Sequence, residues 1–297
     1  MSTSKALDHA RKNAFVLPFD DSSKLIMMSD CHRGDGGWND NFSNNQNSFY
    51  AALNHYYKYN FTYIELGDGD ELWENRNISN IISAHSDVFS LMSQFYKNDR
   101  LHMLYGNHDI VKKSCAYCAN KYSSFYDEDE QKKVPLFPDI DIHESIILKY
   151  TPSNHEIFLT HGHQGDLLND TFWQLARFLV RHVWRPLELI GFQNPIHPAR
   201  GYDEENKVEK KLIQWCQNEK SMLIAGHTHR PRFPIPGDPM YFNDGSCVHP
   251  RWITAIEIEQ GAISLVKWSV QTKKDRSLYI ERTVLSGPIR LMDYWEK

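Results

Sequence analysis

Apolar and polar positions along this chain follow two periods. Four short apolar runs have the length of buried strands: Leu25-Ile26-Met27-Met28-Ser29, Tyr63-Ile64-Glu65-Leu66, Leu101-His102-Met103-Leu104-Tyr105 and Ser221-Met222-Leu223-Ile224-Ala225. Between them the spacing is helical. Phe49, Leu53 and Tyr56 share one face of a segment over 42–60, and Ile78, Ile81, Ile82, Val88, Phe89, Leu91, Met92 and Phe95 mark a second over 78–96. Strand, helix, strand predicts parallel crossovers. Residues 143–150 and 156–160 read as two strands around a Pro152-Ser153-Asn154 turn. Residues 240–247, 253–259, 263–269 and 278–285 read as strands of a second sheet. A polar helix is expected over 4–12, an extended piece over 14–19, a helix and an acidic surface loop (127–130) over 110–133, and another helix over 207–219.

One segment, 166–206, differs in character. Phe172, Leu175, Ala176, Leu179, Val180, Val183, Trp184 and Leu187 fall at helical spacing, with an interruption near Pro186, and Arg177, Arg181 and Arg185 form a cationic stripe. It reads either as a helix docked on the core with its arginines in water or as a cap whose arginines meet substrate phosphate. The organisation expected is a single domain over 1–297 with an inserted helical cap at 166–206.

Composition narrows the partners. At 297 residues, 41% hydrophobic and 13% aromatic, the chain has enough apolar material for a sizeable core. A net charge of −5 argues against stable nucleic-acid binding, which needs a strongly basic balance or patch. No run approaches the ~18 unbroken apolar residues of a spanning helix, and residues 1–12 carry no apolar signal stretch. A cytoplasmic protein is expected, with peripheral membrane contact left open. The five cysteines are an odd number, which argues against a disulfide framework, and Cys115-x-x-Cys118 has no second pair to complete a zinc site.

The chemistry sits where strands end. The first run leads into Asp30-Cys31-His32, and in an extended backbone alternate side chains face the same way, so Asp30 and His32 point together. The second ends in Gly67-Asp68-Gly69-Asp70-Glu71, where glycines allow a sharp turn and Asp68 can bridge two cations. Gly106-Asn107-His108-Asp109, His161-Gly162-His163 and Gly226-His227-Thr228-His229 end three more. Open α/β sheets hold ligands at that edge. Asp30, His32, Asp68, Asn107, His161, His227 and His229 supply imidazole, carboxylate and amide oxygen without thiolate, a set that suits two divalent ions, foremost Mn(II), with iron or Zn(II) as alternatives. His163 is an alternative ligand to His161. Two such ions ~3.5 to 4 Å apart acidify a bridging water and stabilise an in-line displacement at phosphorus.

In this order and context the motifs resemble the calcineurin-like metallophosphoesterases over 25–268. The resemblance implies an α/β fold, a four-layer αββα sandwich of two mixed β-sheets flanked by helices. It implies Asp30, His32, Asp68 and His229 at one metal, and Asp68, Asn107, His161 and His227 at the other. It also implies that His108 protonates the leaving oxygen or holds the phosphoryl group, with Glu71 or Asp70 orienting its imidazole. Trp73, the helical insert with Phe172, Trp173, Arg177 and Arg181, His229-Arg230-Pro231 and Tyr241-Phe242-Asn243-Asp244-Gly245 are similar to the branch of UDP-2,3-diacylglucosamine diphosphatases. That likeness implies substrate contacts at Trp173, Arg177, Arg181 and Arg230, and a small nucleotide-linked or lipid-linked phosphodiester or pyrophosphate as substrate. A serine/threonine phosphoprotein phosphatase or nuclease is the second enzyme reading, and a metal-binding scaffold without catalysis the third.

Overall fold

The structure is a computed structural model that describes residues 2–127, 131–164 and 198–296 and, at 127 and 198–206, the backbone only. The elements are α1 (Thr3–Lys12), β1 (Phe15–Phe19), β2 (Lys24–Met28), α2 (Gln46–Lys58), β3 (Thr62–Leu66), α3 (Ile78–Ala84), α4 (Ser86–Lys97) and β4 (Leu101–Leu104). A 3₁₀ turn (Ile110–Lys113), α5 (Cys115–Lys121), β5 (Ser124–Asp127), β6 (Lys132–Pro135), β7 (Ile142–His143), β8 (Ser145–Tyr150) and β9 (His155–Thr160) follow. The chain continues with α6 (Pro198–Glu219), β10 (Met222–Ala225), β11 (Tyr241–Asn243), β12 (Trp252–Glu259), β13 (Ala262–Thr272), β14 (Leu278–Arg290) and α7 (Met292–Trp295).

Among the described residues these strands make a seven-stranded sheet, ordered β14-β13-β12-β2-β3-β4-β7, a five-stranded sheet, ordered β1-β8-β9-β10-β11, and the β5-β6 hairpin. Both larger sheets are mixed. The pairs β2-β3, β3-β4, β9-β10 and β10-β11 are parallel, whereas β12 runs antiparallel to β2 and β8 to β9.

Strand alternation builds the layers. Leu25, Met27, Ile64, Leu66 and Leu104 of the larger sheet pack against Ile146, Leu148, Ile157, Leu159, Ile224 and Phe242 of the smaller one. Their neighbours one residue along, Ile26, Met28, Tyr63 and Met103, face the other way onto α2, α3 and α4, while Phe158, Leu223 and Ala225 meet α1 and α6. The result is helix, sheet, sheet, helix. Each fully buried large apolar side chain here contributes about 1.5–3 kcal/mol relative to leaving it in water.

Three expectations need correction. Helix α2 starts at Gln46 rather than 42, because Asp40 Oδ1 takes the Phe42 and Ser43 amides in an Asx turn that competes with helix. The segment 78–96 is two helices, and His85 at their junction is held by Asp40 Oδ2 (2.8 Å) and Gln46 Oε1 (2.9 Å). Within 110–133 the structure has the 3₁₀ turn, α5 and a β-hairpin where a helix and loop were expected. The cap expected at 166–206, with Trp173, Arg177 and Arg181, lies outside the described residues except where 198–206 begin α6. No described helix is long and apolar enough to cross a membrane.

The two sheets meet at one edge through an aromatic wedge. Phe15 of β1 stacks on His143 of β7 (centroids 4.6 Å apart, 6° between planes) and leans on His102 of β4 (5.8 Å). Burial, and for His102 the neighbouring His143, holds both imidazoles below their ordinary value. The folded chain therefore binds fewer protons than the unfolded chain below about pH 6.5, so this part of its stability is present above that pH and lost as the medium acidifies. The urea midpoint is expected to fall between pH 7 and pH 5, and a His102→Gln, His143→Gln double variant to show a smaller fall.

Candidate metal centre

Strands β2, β3, β4, β9 and β10 all end at one pole of the molecule, and the loops that follow them bring the predicted ligands together. Asp30 Oδ1 lies 3.0 Å from His229 Nε2, 3.7 Å from His32 Nε2 and 4.0 Å from His161 Nε2. Asp68 Oδ2 lies 3.1 Å from His161 Nε2 and 3.9 Å from His32 Nε2. Two ligand groups with no residue in common stand side by side, Asp30-His32-His229 and Asp68-His161-His227, and a third set, His32-Glu71-His108, joins the first through His32. Asp30, Asp68, Asn107 and His161 are buried, while His229 is exposed.

The backbone that delivers these side chains is not the extended one the strand pattern suggested. Asp30 (φ 51°), His32 (46°), Asp68 (49°), His227 (67°) and His229 (54°) all occupy the left-handed region. Such conformations cost side-chain-bearing residues about 1–3 kcal/mol each and persist only where the surroundings impose them. At Asp30, His32 and Asp68 they are imposed by loop-to-loop bonds: Asp30 N–H donates to Gly67 O (3.1 Å), His32 N–H to Asp68 O (2.9 Å) and Arg33 N–H to Gly69 O (3.0 Å). Gly106 is required by close approach, since a side chain there would collide with Asp68 Oδ1.

Each ligand is also fixed from behind. His161 Nδ1–H donates to Leu66 O (2.9 Å), which leaves the Nε2 lone pair facing the centre. Asp68 Oδ1 accepts the His108 amide (2.8 Å), so Oδ2 is the oxygen turned to the imidazoles. Asp30 Oδ2 accepts from the Ser29 hydroxyl and the His227 amide (2.8 Å). Burial, then Asp30, pushes Asp244 well up. Its Oδ1 lies 2.8 Å from Ser29 Oγ.

The electrostatics are those of a cation site. Burial opposes ionisation of Asp68, yet His161, His108 and His32 hold it far below the usual carboxylate range. Asp30 is likewise lowered against burial, by His229 and His161. In return His161 rises to about 9 despite burial, through Asp68 and Asp30, whereas burial and His161 bring His227 down to about 4. The fit to a metal has a direct observation behind it. Asp30 Oδ1, Asn107 Oδ1 and His161 Nε2 are buried without a hydrogen-bond partner, a cost of about 1–3 kcal/mol apiece that a divalent ion removes.

Beside the ligands stands a second device. Glu71 Oε2 lies 2.7 Å from His108 Nδ1 and 2.9 Å from His32 Nδ1, and these imidazoles bring Glu71 down to about 2 against the effect of burial. Trp73 stacks on His108 (4.3 Å, 19°), and its indole donates to Asn107 O (2.6 Å). The carboxylate beside His108 is thus Glu71; Asp70, the alternative, turns inward to Arg33. His163 is buried 5.5 Å from the His161 ring and stands outside both ligand groups. Arg230 lines a 430 Å³ cavity with Glu209, Lys210, Ile213, Pro231 and Arg232, where it lies 3.8 Å from Glu209 Oε2.

Sequence reasoning missed the residues beneath. Glu65, Lys112 and Tyr122 read as ordinary strand and helix positions and Asp109 as one of the polar groups that follow β4, yet the four form a sealed polar layer with Arg33 and Asp70. The available signal was Glu65 inside an apolar strand, since a carboxylate there demands a buried partner. Asn243, which stands out in the sequence only through the Tyr241–Gly245 resemblance, holds the Gly226–His229 loop through Gly226 O (2.6 Å) and Thr228 Oγ1 (3.1 Å).

Two mixed sheets face to face, with carboxylates, imidazoles and an amide gathered at the ends of their parallel strands, define a metal-dependent hydrolase architecture. Residues 23–231 match the family described as Calcineurin-like phosphoesterase, and the chain belongs to that family, whose members hold a dinuclear divalent metal centre and hydrolyse phosphoesters. No curated protein matches the sequence. Among solved structures, vacuolar protein sorting 29 from Cryptosporidium parvum is similar at 12% identity and a TM-score of 0.39, covering 90% of this chain and 100% of that one. A cold-active protein-tyrosine phosphatase of a psychrophilic Shewanella species is similar at 14% identity and 0.40, covering 92% and 83%. Chaetomium thermophilum Vps29 is similar at 10% and 0.38, covering 90% and 98%. At those scores the likenesses add nothing to the family assignment.

Proposed function

We propose that this protein hydrolyses a small-molecule phosphoester, with one divalent ion held by Asp30, His32, Asp68 and His229 and a second by Asp68, Asn107, His161 and His227. When bound, such a pair neutralises charge on the phosphoryl group and activates the attacking water. The observation that carries the reading is the placement of Asp68 Oδ2 among imidazole nitrogens of both groups, as a shared ligand requires.

The protein's own groups do the rest. His108 Nδ1–H faces Glu71, so its Nε2 is the atom left to protonate the leaving oxygen or hold the phosphoryl group. Trp73 fixes the plane of that ring. In this reading Arg230 meets the anionic substrate, and the cavity it shares with Glu209, Lys210 and Arg232 takes part of a nucleotide-linked or lipid-linked phosphodiester or pyrophosphate, the substrate class that the likeness to the UDP-2,3-diacylglucosamine diphosphatase branch implies. Trp173, Arg177 and Arg181 are further substrate contacts in this reading, and Mn(II) is the ion proposed, in a cytoplasmic setting.

His108→Ala tests the assignment. Turnover of bis(p-nitrophenyl) phosphate by the Mn(II)-loaded protein is expected to fall about 100-fold, the scale of a lost general acid, with metal content unchanged. Wild-type turnover in the variant contradicts the role given to His108.

A further inference from the structure

Lys112 has an ammonium group sealed in the interior. Its side chain has no exposure, and Nζ lies 2.6 Å from Asp109 Oδ2, 2.9 Å from Asp70 Oδ2 and 3.7 Å from Glu65 Oε1. Burying a cation is costly unless it is closely paired, so three carboxylates around one ammonium form a built arrangement. What this arrangement touches is the metal centre. Asp109 Oδ1 accepts the Gly106 amide (2.7 Å) and Oδ2 accepts the Gly69 amide (3.1 Å). Gly69 directly follows Asp68, and Gly106 directly precedes Asn107 and His108. One carboxylate therefore clasps both loops, and Lys112 neutralises it from below.

We infer that Lys112 is a positioning residue for the metal centre, which through Asp109 sets the gap between the Asp68 loop and the Asn107-His108 loop. This inference rests on the ligand assignment proposed above. Without the ammonium, Asp109 and Asp70 face each other in a dry layer, with Arg33, on Asp70, the one remaining cation paired with them among the described residues. The carboxylate that clasps the Gly69 and Gly106 amides then loses the 2.6 Å ion pair that fixes its place between the two loops. The loop bearing Asn107 and His108 then loses its fixed distance from Asp68.

The test uses Lys112→Met, which keeps the side chain's length and removes its charge, beside Lys112→Arg, which keeps the charge. Mn(II) binding is followed by calorimetry and turnover by kcat and KM, both well below the melting temperature of each variant. The Lys112→Met protein is expected to bind its second Mn(II) at least about tenfold more weakly and to lose kcat by about the same factor, as for other groups that orient ligands, with KM little changed. The Lys112→Arg protein is expected to stay within about threefold of wild type in both, because its charge still meets the carboxylates.

A folded Lys112→Met protein with wild-type affinity and kcat overturns the inference and leaves Lys112 a packing residue. So does a folded Lys112→Arg protein as impaired as Lys112→Met. Should Lys112→Met not fold, Asp109→Asn carries the same expectation of weakened second-ion binding, and wild-type behaviour there overturns it equally. Absence of Mn(II) binding in the wild type overturns the ligand assignment itself. That failure is told apart from wild-type binding with an indifferent Lys112→Met.

Discussion

Replacing Asp68 by alanine is expected to cut phosphoester turnover about a thousandfold, or ~4 kcal/mol of barrier, and to reduce bound Mn(II) below two ions per chain. Three consequences of the substitution act together. The carboxylate oxygen among the His161 and His32 nitrogens disappears, and both ions lose the ligand they are proposed to share. The His108 amide loses its acceptor at 2.8 Å, so the proposed acid is no longer anchored. The site also loses a unit of negative charge, so what remains attracts a divalent ion less strongly. His108→Ala, by contrast, is expected to lose turnover while keeping both ions. Measuring metal content and kcat on both variants separates the two roles.

Arg33→Met is expected to cost about 3–5 kcal/mol of stability, the scale for breaking a buried ion pair by removing one partner. The guanidinium donates through Nε to Asp70 Oδ1 (2.7 Å) and through Nη1 and Nη2 to Glu65 (2.8 and 3.0 Å), and it lies against Phe89. Removing it leaves Lys112 as the one cation among the described groups paired with Glu65, Asp70 and Asp109. In calorimetry the melting temperature should fall on the order of 10 °C for a chain of this size. Acid should narrow the difference. Burial opposes the ionisation of Asp70, but Arg33 and Lys112 hold it far below the usual range. Its contribution is therefore present above about pH 3.9 and lost as pH falls toward the folded value. A difference that stays constant down to pH 3 contradicts this origin.

The fold was legible because buried parallel strands leave a plain mark. Ile26, Ile64, Met103 and Ile224 lie in short apolar runs, each followed by glycine and polar groups, and the ligands could be picked from what came next. Strand alternation is not what makes them converge. Asp30 and His32 point together through two left-handed residues, and no hydrophobic pattern records a positive φ at aspartate or histidine. Helix breaks at 85 and the late start of α2 were hidden for a related reason. Both depend on Asp40, whose hydrogen bonds to His85, Phe42 and Ser43 are tertiary or local side-chain events that compete with helical periodicity. The buried layer of Arg33, Glu65, Asp70, Asp109 and Lys112 was the least legible part. Charged residues usually lie in water, and only the three-dimensional approach of strands and loops reveals that these five meet each other.

The most direct measurement is a titration of metal-free protein with Mn(II), following hydrolysis of bis(p-nitrophenyl) phosphate after each addition. Turnover should stay near background at first and reach its plateau at two equivalents per chain, with Asp68→Ala flat throughout. A plateau at one equivalent, full turnover in the presence of chelator, or an Asp68→Ala curve that follows wild type would contradict a two-ion centre built on a shared carboxylate.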